Sequence, residues 1–204
     1  MKKRSRLLVL AALTGTLIPG VAAGQSFAVY GAIREKWLQL GGDTGPLGPP
    51  TSSEAAAARG GRFNGFRAGY IYWHPTFGAH AVYGLIGQFW YAAGHENNFG
   101  YPLTDELPGA KGGRYNDFEN NATVTWHPTA GTHSVYGFIR NEWIMRGRGG
   151  GNCGYPTSEE FATSNGRRTN FQTGYITWQQ GARAAVAHCS VVIDNGPALN
   201  PVPG

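Results

Sequence analysis

The residues able to do acid–base, metal or redox chemistry are few, and most recur in threes. Glu54, Glu106 and Glu160 stand seven or eight residues before Arg62, Arg114 and Arg167. Glycoside hydrolysis needs two acids across one bond. One acid per segment with an arginine in reach points instead to a charge-assisted bond that braces a loop. His74 and His127 precede His80 and His133 by six residues. A metal centre needs imidazoles that converge in space. The third segment has neither histidine, so a metal site in every segment fails, leaving only a single site shared by two segments. Cys153 and Cys189 are the only cysteines. In an exported chain a lone pair is expected to form one disulfide, which closes a loop worth on the order of 3–4 kcal/mol. Gly-x-Ser-x-Gly, His-Glu-x-x-His and Walker-type loops are absent. Catalysis brings unlike groups together once, whereas this chain supplies like groups several times. It therefore reads as a non-enzyme, with no catalytic residue, metal or cofactor assigned.

The elements that position these residues form a repeat. Val-Tyr-Gly occurs at 29–31, 82–84 and 135–137, a period of 53 residues, and Trp37, Trp90 and Trp143 keep that period. Each tryptophan follows an isoleucine by four (Ile33, Ile86, Ile139), which places both on one face of a short helix. The first helix is expected at about 32–40, stopping at Gly41-Gly42. A Gly/Pro loop and two strands follow. In the second strand Ile71 and Trp73 share one face and Tyr70 and Tyr72 the other. The later copies set Val124 and Trp126 against Thr123 and Thr125, and Ile176 and Trp178 against Tyr175 and Thr177. All six tryptophans are expected in the core. The opposite face, with Tyr70, Tyr72, Thr123, Thr125, Tyr175 and Thr177, is the candidate ligand face, because aromatic rings and hydroxyls suit wet glycan recognition. Asn121 stands at the hairpin glycine of the other copies (Gly69, Gly174), with Ala122 as the extra residue. The expected fold class is α+β: tandem units of short helix plus β-hairpin, packed into one compact, ring-like domain.

The chain has 204 residues, 41% hydrophobic, 13% aromatic and only 14% charged. Its 26 Trp, Tyr and Phe residues argue against general disorder, and its 32 glycines lack a Gly-X-Y period, which excludes collagen. Residues 1–23 read as a secretory signal peptide. Lys2, Lys3, Arg4 and Arg6 form a basic start, Leu7 to Leu17 is mostly apolar, and Val21-Ala22-Ala23 supplies a cleavage site. That leader carries four of the 17 basic residues and none of the 12 acidic ones, so the mature chain is nearly neutral. No basic stripe remains to track a phosphate backbone, and nucleic acid is not an expected partner. No later segment reaches the length of a membrane span. The repeats are placed at 28–80, 81–133 and 134–185. Residues 186–193 read as a closing segment, with Cys189 pinned to Cys153, and 194–204 as a loose tail.

The frame Gly-x-Ile…Trp…Gly-Gly…Leu-Gly-x-Pro…Glu…Gly-Gly-Arg…Phe…Gly-x-Ile-x-Trp resembles the LGFP repeat family. The signature tetrapeptide stands as Leu47-Gly48-Pro49-Pro50, Phe99-Gly100-Tyr101-Pro102 and Cys153-Gly154-Tyr155-Pro156, none of which spells the family name in full. The resemblance implies a secreted protein of the actinobacterial type, held on cell-wall polysaccharide, arabinogalactan or peptidoglycan. Such repeats often trail an enzyme such as a mycolyltransferase or an amidase. Here they fill nearly all of the mature chain, so no activity carries over. The expected function is a non-catalytic wall-binding module. The alternatives are a scaffold or inhibitor that binds other envelope proteins, and a divergent wall hydrolase.

Overall fold

The computed structural model describes residues 26–190. The expected leader and tail lie outside the described residues. Each unit opens with a nine-residue helix: α1 (Gly31–Gln39), α2 (Gly84–Ala92), which is followed by the one-turn α3 (His95–Phe99), and α4 (Gly137–Met145). The long helices end where Gly41, Gly94 and Gly147 adopt φ of 97°, 98° and 89°, the left-handed stop that glycine takes without Cβ strain. After each comes not a hairpin but a four-stranded antiparallel meander. The first sheet is β1 (Ala55–Ala56), β2 (Arg62–Phe66), β3 (Gly69–His74) and β4 (Gly78–Tyr83). The second is β5 (Leu107–Pro108), β6 (Arg114–Phe118), β7 (Ala122–His127) and β8 (Gly131–Tyr136). The third is β9 (Phe161–Thr163), β10 (Gly166–Phe171), β11 (Gly174–Gln179) and β12 (Val186–Cys189). The strand Gly78–Tyr83 thus crosses the expected boundary at 80/81. The closing segment supplies β12, whose Cys189 is disulfide-bonded to Cys153.

The hairpin register corrects one expectation. Phe66 pairs with Gly69, Phe171 with Gly174, and Phe118 with Ala122. Ala122 therefore holds the glycine's ladder position, and Asn121, at φ 50°, is the inserted residue. At Gly69 the constraint is space, since a Cβ there would lie 2.4 Å from the Val82 carbonyl oxygen.

The units stack through their helices. Helix α2 packs on β3 and β4 of the first sheet and on β7 and β8 of the second, and α4 repeats this between the second and third sheets. Among the described residues the substantial packing runs from each unit to the next, and does not join the first sheet to the third to close a ring. Trp90 and Trp143 are wholly buried at these helix–sheet joints. Trp37 is only half-buried, because no sheet precedes α1 among the described residues. This stacking overturns the expected ligand face in the first two units. Tyr72 is 2% exposed and meets Trp90 edge-on at 4.8 Å, while Thr123 and Thr125 are 0% and 1% exposed beneath α4. Tyr70 lies partly covered against Tyr91 of α2. No helix follows the third sheet among the described residues, and Tyr175 and Thr177 stay partly open.

Each joint is locked by polar groups reaching back to the preceding unit. The Tyr101 hydroxyl donates to the Ala58 carbonyl, and the Tyr155 hydroxyl to the Ala110 carbonyl at 2.8 Å. His74 packs against the Tyr101 ring at 4.7 Å, tilted by 43°, and His127 stacks on the Tyr155 ring at 4.6 Å. Asp105 accepts from the Ala81 amide at 2.9 Å and from Lys36 at 2.8 Å, with the His80 ring 3.7 Å away. Glu159 does the same for the Ser134 amide and for His133, at 3.3 and 2.9 Å. The repeated histidines therefore serve the joints.

Burial alone would raise the Asp105 carboxyl. The neighbouring His80, Lys36 and Ala81 N–H more than offset this and hold it at about 2, against 3.8 ordinarily. A depressed folded-state value means that its stabilisation is complete above about pH 4 and is lost as pH falls through about 2. Asp105→Asn is expected to cost about 1–3 kcal/mol at pH 7 and to flatten the acid limb of stability, read by urea unfolding at pH 7 and pH 3. Reducing the Cys153–Cys189 bond is expected to remove about 3 kcal/mol in the same assay.

Candidate functional site

Each unit carries one shallow pocket where the start of its helix meets its second and third strands. The first is lined by Tyr30, Gly31, Ala32, Ile33, Glu54, Arg62 and Trp73. The second has Tyr83, Gly84, Leu85, Ile86, Glu106, Arg114 and Trp126, and the third Tyr136, Gly137, Phe138, Ile139, Glu160, Arg167 and Trp178. Their volumes are about 230, 230 and 220 Å³.

The fold sets this arrangement locally. Gly31, Gly84 and Gly137 turn the chain from extended backbone into helix at φ of 46°, 58° and 50°. A Cβ there would meet nothing, so the requirement is conformational. The hairpin register places Arg62 opposite Trp73, Arg114 opposite Trp126 and Arg167 opposite Trp178. In all three units the arginine Nε–H donates to a glutamate oxygen at 2.7 Å. The outer guanidinium nitrogens of Arg62 and Arg167, and the second carboxylate oxygen of each glutamate, have no hydrogen-bond partner among the described residues. Arg114 also lies beside the Tyr83 hydroxyl. No side chain caps the helix start in any of the three.

Each pocket therefore offers a fixed cation–anion pair with spare donors and acceptors, beside an indole. That chemistry suits neighbouring hydroxyls on a ring with an apolar face. Trp73, Trp126 and Trp178, expected in the core, are half-buried and form pocket walls. Glu54, Glu106 and Glu160 meet the arginines expected for them. The residue after the turn glycine varies as Ala32, Leu85 and Phe138. Leu85 and Phe138 are exposed, and Phe138 stacks on Trp178 with ring centroids 5.8 Å apart and planes 10° apart. Sequence reasoning passed over this position. Its signal was an apolar side chain beside, not on, the buried Ile/Trp helix face.

Among the described residues no group of three His, Cys, Asp or Glu side chains could hold a metal ion. No helix among them is long and apolar enough to cross a membrane.

Three sheet-and-helix units that share their interfaces and each carry a like pocket define a tandem-repeat protein. The chain belongs to the LGFP repeat family, whose model matches residues 47–98, 99–151 and 154–188. No curated protein matches the chain.

The arginine of each pair is partly open to solvent, which screens the pair, so it adds little to folding. Glu106→Gln is expected to change the unfolding free energy by about 1 kcal/mol or less, measured by urea denaturation. A much larger loss would show that the pair serves the fold instead.

Proposed function

We propose that this chain is a secreted, non-catalytic module that binds envelope polysaccharide, arabinogalactan or peptidoglycan, through its three equivalent pockets. The observation that carries this reading is the recurrence of Glu, Arg and Trp around a pocket of similar volume in every unit. The disulfide fits an extracellular location. Each pocket holds one carboxylate already engaged by arginine, which favours holding a ligand over hydrolysing it. Three weak contacts on one chain raise the effective concentration of the second and third once the first has formed.

Co-sedimentation of the purified protein with protein-stripped wall polysaccharide tests the proposal. Retention is expected for the wild type. Trp126→Ala should weaken it about tenfold, and the combined Trp73, Trp126 and Trp178 to alanine variant should abolish it. Retention no better than that of an unrelated secreted protein would overturn the reading. Retention only on walls that keep their proteins would replace it with a protein-binding scaffold. Release of sugars from the wall would replace it with a hydrolase.

A further inference from the structure

The two joints share a plan but differ sharply beside the turn between the second and third strands. At the second joint Arg140 of α4 fills the space beside the β6–β7 turn. Its Nε donates to Thr123 Oγ1 at 2.6 Å, and its outer nitrogens donate to Asn121 Oδ1 at 2.7 Å and Asp117 Oδ1 at 2.9 Å. At the first joint the corresponding helix residue is Gly87, and Tyr70 and Gly65 stand where Thr123 and Asp117 do. Loss of the guanidinium and its acceptors leaves an open groove of about 300 Å³, with Phe66, Arg67, Tyr70, Gln88 and Tyr91 among its walls.

Two features give the groove a chemistry. Tyr70 of the first unit and Tyr91 of the second stack across the joint, with ring centroids 4.7 Å apart and planes within 7°. Arg67, in the turn between β2 and β3, is exposed, and its side chain has neither a carboxylate nor a hydrogen-bond partner among the described residues. The residues in its place elsewhere are both engaged. Glu119 pairs with Arg59, and Gln172 bonds the Tyr155 amide and Thr129.

We propose that this groove is a single, unrepeated site for a carboxylate-bearing sugar ring. Arg67 takes the carboxylate through the paired N–H groups that suit a planar anion. The sugar ring lies along the open edge of the tyrosine pair, since Tyr70 covers one plane of Tyr91 and His95 stacks on the other at 5.3 Å, and Gln88 with the tyrosine hydroxyls serves its hydroxyl groups. The assignment rests on the polysaccharide reading for its ligand class, and it gives acidic and neutral sugars different places on the molecule.

The test titrates the purified protein with glucuronate and N-acetylmuramate, and with glucose and N-acetylglucosamine as neutral counterparts, followed by NMR shifts of the tyrosine rings. The acids are expected to bind at least tenfold more tightly than the neutral sugars. Arg67→Gln, which installs the residue of the third unit at an exposed position, should erase that preference without altering thermal stability or retention on wall polysaccharide. The variant lacking the three pocket tryptophans should keep acid binding while losing retention. Equal binding of acids and neutral sugars by the wild type, or an unchanged preference in Arg67→Gln, overturns the groove assignment. Retention of the wild type on the wall with no acid preference sinks this assignment alone and leaves the three pockets standing.

Discussion

Two buried tyrosines fix how the units sit on one another, and much of the sequence bends around them. Tyr101 and Tyr155 push their rings under the preceding unit's Gly-Gly-Arg loop and bond its carbonyls. The loop must have no side chain there: a Cβ on Gly61 would stand 2.1 Å from the Tyr101 hydroxyl oxygen, and one on Gly113 2.2 Å from that of Tyr155. Each ring buries apolar area worth about 1.5–3 kcal/mol, and its hydrogen bond adds about 1. A segment of about 50 residues buries too little by itself, so these contacts make one stable body from three marginal pieces.

The ends of the stack show what the joints require. The first unit has no predecessor among the described residues, and it carries Pro49 where the others have the tyrosine and Ser53 where they have Asp105 and Glu159. The third unit has no successor among the described residues. It carries Gln179 where the others have the histidine packed on the joint tyrosine, and Val186 where they have His80 and His133. Its outer sheet face is mixed: Phe161 and Val186 are exposed there, and Arg168 replaces the Phe63 and Tyr115 of the other units, its guanidinium 3.7 Å above the Tyr175 ring. The disulfide joins β12 to the loop after α4, at the sheet where a following helix would otherwise hold the last strand. A covalent link here does work that packing does at the other two sheets.

The repeat, the helices and their glycine stops were legible because they are local: Ile33 and Trp37 lie four apart, and Gly41 follows the helix. Period-2 alternation likewise showed which strand residues share a face. It could not show which face is covered, because the cover for Tyr72 is Trp90, from the next unit. The same gap misplaced Trp73, Trp126 and Trp178. Their alternation with Ile71, Val124 and Ile176 reads as core, yet they stand at the strand end beside the helix start, where the core runs out. The strand Gly78–Tyr83 was obscured by its own motif, since Val82-Tyr83-Gly84 looks like the opening of a unit and is the end of a sheet running into a helix.

Recurrence itself separates the roles. Groups that join units occur once fewer than the units do: two joint tyrosines, two histidines packed on them and two reaching acids serve three units. Groups that serve a unit by itself occur three times, as do the glutamate, arginine and tryptophan of the pockets. The joints therefore do not account for the pocket residues, which persist in the first unit and in the third, neither of which has a second neighbour among the described residues. Residues that occur once, such as Gly87 between Arg34 and Arg140, mark where the chain departs from its own pattern. There the departure removes a filling side chain and opens a groove, while the joint around it is kept.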